Sequence, residues 1–348
     1  MIEAYLEDLE RRVSEDAEKA LWRDWVAFAE DRFEGDLFSP RRAAPSPPGI
    51  DWPHPLVNDT LDDQDQMALQ QLETCSRALS RASGEILCVR CNYGTGILPS
   101  LFGVEPFVMA RELDTLPTNR PLPGGPEALK TLLDRGVPDL NKGLGGKTLE
   151  MGQRFLSLFE PYPKIQRHVR IYHPDLQGPM DICELLCGSD LFFALVDEEE
   201  LVLSALELIT ETYIEFMNAW TELIPFQDGL SVHWSLLHRG HIMLRDDSAM
   251  NLSPEMFGRF VRPFDQRLLE TFGGGGLHYC GKGDHFLPLA KEMEGLYAVN
   301  LSQPEYNDME RVFGHTVDHG IHVVGLSREA GEEALARGRD LRGLVHCW

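Results

Sequence analysis

The sequence contains no run of ~18 apolar residues, so no segment reads as a membrane-spanning helix. It is also short of positive charge. Lys and Arg number 32 against 56 Asp and Glu, giving a formal net charge of −24. A field of that sign repels nucleic-acid backbones and anionic lipid, so neither is expected as a partner. Seven cysteines cannot all pair, and a disulfide framework is not expected in a chain this long. The first residues, MIEAYLEDLERRVSEDAEKA, lack a basic stretch followed by an apolar one. A reduced, cytoplasmic protein with thiols free for metal is the expectation. No G-x-G-x-x-G opens a strand–helix unit, which removes the main signal for a dinucleotide-binding sheet.

The 348 residues are 43% hydrophobic and 25% charged, ordinary values for a globular chain. Leu6, Leu9, Val13, Leu21, Trp25 and Phe28 fall at helical spacing in the first 34 residues. A Pro-rich stretch, Pro40 to Pro55, and a second helix, Asp62 to Ala82, follow. Residues 1–82 are expected to pack as a helical extension on a main body formed by 83–348. In that body short apolar runs alternate with helical patterns. The strands expected are Glu85–Cys91, Phe107–Arg111, Val169–His173, Leu230–Trp234, Gly276–Cys280, Leu296–Leu301, Ile321–Leu326 and Gly343–Cys347. Eight strand–helix units in this length fit an α/β fold of the (β/α)₈ TIM-barrel type.

Reactive groups of such a barrel sit at the C-terminal ends of its strands. Those ends carry Asn92 and Tyr93, then His173, Asp175 and Gln177, then His233, then Asp246 and Asp247, then His278 and Cys280, then Glu305, and finally His346 and Cys347. His278 and Cys280 are two apart on a strand, so both face one way, inward, with Tyr279 facing out. With Cys347 inward on the last strand, an imidazole and two thiolates would make a three-ligand zinc site with an open fourth position. His346 would then face outward. The same residues also fit a buried thiol beside a hydrogen-bonded core histidine.

The run Asp246-Asp247, Leu252-Ser253-Pro254-Glu255, Pro263 and Gly276-Leu277-His278-Tyr279-Cys280-Gly281 resembles the uroporphyrinogen decarboxylase superfamily. His173-Pro174-Asp175-Leu176-Gln177-Gly178-Pro179 and the loop NYGTGILPSLFG, Asn92 to Gly103, resemble further parts of it. The resemblance covers about residues 85–348 and implies a one-domain barrel, often a homodimer. One branch of the superfamily decarboxylates porphyrinogens without a cofactor, gripping substrate carboxylates with an arginine-rich loop. The other moves a methyl group between a corrinoid protein and a thiol on zinc held by H-x-C and a distant cysteine. No pair of arginines four apart stands in the early loops here, where Arg41-Arg42 and Arg90 are the nearest analogues, so the second branch is the better match. The resemblance then implies Zn²⁺ on His278, Cys280 and Cys347, with Glu305 as resting fourth ligand. Asp247, His233 and Tyr93 would be catalytic, and Asn92, His173, Gln177 and Asp246 would bind a small-molecule substrate. The partner would be a corrinoid protein. A decarboxylase is the alternative, and a non-catalytic metal- or corrinoid-binding barrel the third possibility.

Overall fold

A computed structural model describes residues 2–348. Two amphipathic helices, α1 (Glu3–Arg12) and α2 (Glu15–Ala29), come first. The strands that follow are β1 (Leu37–Phe38), β2 (Cys88–Val89), β3 (Glu105–Phe107), β4 (Thr118–Arg120), β5 (Arg170–Ile171), β6 (Leu230–His233), β7 (Leu236–Arg239), β8 (Ile242–Arg245), β9 (Gly275–Tyr279), β10 (Leu296–Leu301), β11 (His322–Leu326) and β12 (Val345–Cys347). Six of them form one parallel sheet in the order β1-β12-β11-β10-β9-β8, and β2 pairs with β5 in a second parallel sheet. Helices connect and cover these strands, giving a TIM-barrel-like arrangement. The backbone also links the two sheets: Gly178 N–H donates to Arg245 C=O at 2.8 Å. Gly84 lies so close to the chain after β1 that a Cβ there would sit 2.0 Å from the Pro40 carbonyl oxygen.

Several expected elements land elsewhere. Leu37–Phe38, not among the expected strands, joins the sheet edge beside β12. Its phenyl ring is buried among Trp25, Phe28 and Phe33, and that burial is what makes two residues a strand. Phe107–Arg111 is not a core strand. Residues 105–107 are exposed and pair antiparallel with Thr118–Arg120 in an outlying hairpin. Leu230–Trp234 is likewise no parallel strand, because it folds back antiparallel on Leu236–Arg239. The parallel strand at this point of the sequence is Ile242–Arg245, a fully buried run of four. Ser253 and Ser327 cap their helices, accepting from Met256 N–H and Ala330 N–H, whereas the helix from Glu199 starts without a side-chain cap.

Side chains alternate across each strand, and the two faces enter different clusters. Val299, Leu301, Leu277, Tyr279, Val345 and Cys347 pack outward beneath the helices. Phe38, Ile86, Cys88, Tyr172, Ala298 and Val324 point inward to a smaller cluster. Two insertions fill that interior. The aromatic stripe of α2 seats under the strand starts, with Trp25 fully buried, its Nε1–H donating to Gly84 C=O at 2.8 Å and its ring against Phe38 and His346. The β6–β7 hairpin enters alongside, packing on β9, β10 and β11. Its two-residue turn, Trp234-Ser235, has φ of +47° and +64°, the conformation that a tight hairpin needs and that side-chain-bearing residues rarely take. Ser235 C=O accepts from Ile86 N–H at 3.0 Å, fastening the tip to the chain before β2.

Trp25 therefore holds both the floor of the interior and the approach to β2. Trp25→Ala should cost about 3–5 kcal/mol, part cavity and part an orphaned carbonyl. Equilibrium urea unfolding measures this, and a loss below about 1 kcal/mol would show that α2 is a loosely applied extension.

Candidate metal centre

His278 ends β9 with its ring inward. Its Nδ1–H donates to Asn300 Oδ1 at 2.6 Å. The amide of Asn300 is itself oriented, because its Nδ2 donates to Val324 C=O at 2.6 Å. This relay assigns the proton to Nδ1 and leaves the Nε2 lone pair free, the usual preparation of a ligating histidine. Cys280 follows two residues on, with Sγ 3.5 Å from that Nε2. Asp247, just past β8, brings Oδ1 to 3.7 Å from the same nitrogen. Its turn is anchored from behind, since the Asp181 carboxylate accepts from the N–H groups of Asp247 and Ser248 at 2.9 and 2.8 Å. Asp247 Oδ1 also accepts from Cys280 N–H at 2.7 Å.

The three ligand atoms lie within 4.8 Å of one another. Tetrahedral arms of ~2.0–2.3 Å place ligand atoms about 3.3–3.8 Å apart, so the two spacings at Nε2 fit one ion without rearrangement. Nitrogen, sulfur and carboxylate oxygen are together a zinc donor set. Burial pushes the Cys280 thiol up to about 11, so an ion binding here must displace its proton. Trp234, Leu236, Ser302 and Trp348 line the open side with His278 and Asn300.

The ligand set expected from the sequence is not the one brought together. Cys347 is 1% exposed and faces away from His278, under the helix Arg328–Ala336. Its Sγ lies 3.7 Å from Ser327 C=O, and a Cβ on Gly331 would come within 2.7 Å of it. The residues facing inward on this strand are His346 and Trp348, the reverse of the expected alternation. His346 Nδ1 accepts from Gly325 N–H at 3.1 Å, and its ring packs between Trp25 and Trp348. Glu305 is exposed on a short turn and reaches no ligand atom. From its loop, Ser302 and Gln303 make the contacts instead, to Cys280 Sγ at 3.5 Å and Gly281 N–H at 2.6 Å. Asp247, expected to act on substrate, stands in the third ligand position.

A second polar cluster lies beside the first. Arg245 is the register partner of His278 on the neighbouring strand. Its guanidinium and that of Arg90 both bind Asp175. Burial opposes ionisation of this carboxyl, but the Arg245 and Arg90 charges outweigh it and hold the group well below the usual carboxylate range. His233 Nε2 lies 3.1 Å from Asp175 Oδ1, and the ring is wholly buried, which drives its pKa far down. Trp234 joins the clusters: it covers the Arg245 guanidinium at 4.5 Å, meets the His278 ring at 4.7 Å and directs Nε1–H to Asp175 at 3.4 Å. Arg245, Asn300, Trp234 and Trp348 were not singled out from the sequence.

The remaining candidates lie outside the His278, Cys280 and Asp247 group. Both nitrogens of His173 are used, Nδ1–H on Pro174 C=O at 2.8 Å and Nε2 accepting from Met243 N–H at 3.1 Å. It is locked neutral, pushed by burial down to about 4, and holds β8 in place where a backbone partner would otherwise stand. Tyr93 is a buried member of the outer core. Asn92 reaches only Gln70, at 3.5 Å, and Gln177 is buried with no side-chain hydrogen bond to another described residue. Asp246 is fully buried and faces Asp265.

In overall fold the chain is similar to a methyltransferase from Methanosarcina mazei, with a TM-score of 0.61 and 18% identity over 84% of this chain and 81% of that one. At that identity the likeness is one of fold. No protein-family model and no curated protein matches the sequence.

Asp246 and Asp265 are both fully buried and face each other behind β8. Burial raises both, Asp246 well above its ordinary value and Asp265 to about 7. A carboxyl with a raised folded pKa binds its proton more tightly folded than unfolded, so stability falls as pH rises from the ordinary carboxylate range through about 7. Asp265→Asn should therefore stabilise the protein at pH 8 by on the order of 1–3 kcal/mol and change little at pH 5. Thermal melts at the two pH values test this; equal effects at both would show that the pair does not titrate in this window.

Proposed function

We propose that the protein is a zinc-dependent methyltransferase whose metal is held by His278, Cys280 and Asp247 at the mouth of a closed eight-stranded barrel. The observation carrying this reading is the lone pair of His278 Nε2, freed by Asn300 and set 3.5 and 3.7 Å from a thiol sulfur and a carboxylate oxygen. Zinc bound there supplies Lewis acidity that lets a substrate thiol lose its proton while its sulfur stays nucleophilic. The Cys280 thiolate and the Asp247 carboxylate would together balance the charge of a divalent ion held here. Trp234, Leu236 and Trp348 form apolar walls that strip water from whatever enters. The methyl group would come from a corrinoid carried by a partner protein docking over this mouth, in a cytoplasmic homodimer.

The decarboxylase alternative draws no support from the geometry. Arg90 and Arg245 are both committed to Asp175, so neither is free to clamp a polycarboxylate. The hairpin and α2 fill the interior that a porphyrinogen would need.

Metal analysis of tag-free protein tests the ligand set. Wild type and Cys347→Ser should each carry about one zinc per chain, and Cys280→Ser should carry almost none. Equal zinc in wild type and Cys280→Ser removes the proposal. Loss in Cys347→Ser to match Cys280→Ser transfers the third place to Cys347. Asn300→Ala should weaken zinc binding about 10- to 100-fold, by freeing the ring to reorient. Incubation with methylcobalamin and a simple thiol, followed by mass spectrometry, tests the reaction, and no thioether above the Cys280→Ser background would count against it.

A further inference from the structure

At the other end of β5 from Asp175, an arginine lacks a countercharge. Arg170 opens β5 with its guanidinium over the indole of Trp22 at 4.5 Å. Its side chain makes one hydrogen bond, Nη1 to Gln227 Oε1 at 2.7 Å. No carboxylate among the described residues pairs with it, although the chain has 56 acidic residues for 32 basic ones. Of the nearby acids, Asp16 is exposed and forms no ion pair with it, and two others are committed elsewhere. Glu18 binds Arg42 through both oxygens at 2.7 Å, and Glu15 is shared by Lys19 and Arg167. Burial alone shifts the Arg170 pKa, downward, with no neighbouring charge opposing it. With its one hydrogen bond at the surface, the guanidinium keeps donors free for an anion.

The surroundings say what would satisfy it. On one side of Arg170 lies a hollow walled by Phe159, Trp220, Ile224, Phe226 and Leu230. On the other lies a second hollow lined by Asp16, Glu18, Lys19, Arg23, Arg167 and His168, with His168 Nε2 buried and unpartnered. Lys19 and Arg167 are held by Glu15, which leaves Arg23 and Arg170 there without an ion pair, and apolar side chains line the first hollow.

We propose that Arg170 is the anchor of a binding site for a small organic acid, its carboxylate on the free guanidinium edge and its apolar body in the hollow toward Phe159 and Phe226. A planar fork that has lost one face to Trp22 and one nitrogen to Gln227 still presents an edge suited to a carboxylate. The site is independent of the metal centre, and its test does not require the methyltransferase reading to hold.

Calorimetric titration of the full-length protein with benzoate and 3-phenylpropionate tests it, with benzyl alcohol and inorganic phosphate as controls. The acids should bind saturably and change tryptophan emission, and Trp22→Phe should reduce that change. Arg170→Met, checked for folding by circular dichroism, should weaken binding at least about tenfold. Arg170→Lys, which keeps the charge and loses the fork, should weaken it severalfold and serves if the Met variant does not fold. Absence of saturable binding by either acid overturns the proposal. So does acid binding unchanged in both variants, or binding by benzyl alcohol or phosphate as tight as by the acids.

Discussion

The hydrogen bond from His278 Nδ1–H to Asn300 is the interaction on which the site depends. A histidine on a barrel strand can satisfy either nitrogen, and only one choice leaves a ligand facing the thiol. Asn300 makes that choice because its own amide is held by the Val324 carbonyl, one strand further on. Three adjacent strands, β9, β10 and β11, thus act in series to aim one lone pair. The carboxylate at the other side of the centre is aimed in the same manner, by Asp181 from behind and Cys280 N–H from the front. Such support holds the imidazole nitrogen, the thiol and the carboxylate within 4.8 Å of one another.

The filled interior sets the scale of the chemistry. With α2 beneath and the hairpin inside, the space left at the mouth is shallow and walled by indoles. Holding Trp234 at positive φ costs of order 1–3 kcal/mol, and the surrounding contacts to Arg245, Asp175 and His278 offset it. A strained aromatic residue joining two polar clusters is more economically read as a shaped wall of the site than as core packing, since a Gly or Asn would make the turn without strain.

Much of this was legible in the residues. H-x-C spacing put His278 and Cys280 on one face because strand alternation is local and needs no partner. The amphipathic stripe of α2 was visible for the same reason. Cys347 was misplaced because alternation says only that neighbours differ, not which of them faces in. That is decided by register against β1 and β11 and by the burial of Trp25 on His346. Leu230–Trp234 has the alternation of a strand and is one; its antiparallel partner and inward insertion are tertiary facts. Ile242–Arg245 is too short to stand out by pattern. Asp247 was found by its place after a strand, but its approach to His278 and Cys280, and the alignment of His278 by Asn300, required distances.

X-ray absorption at the zinc edge of the metal-loaded protein tests the central claim most directly. The account predicts a first shell with one sulfur at ~2.3 Å and the remaining nitrogen and oxygen donors near ~2.0–2.1 Å, one of the nitrogens showing the multiple-scattering pattern of imidazole. Two sulfurs in that shell, or no imidazole, would contradict it.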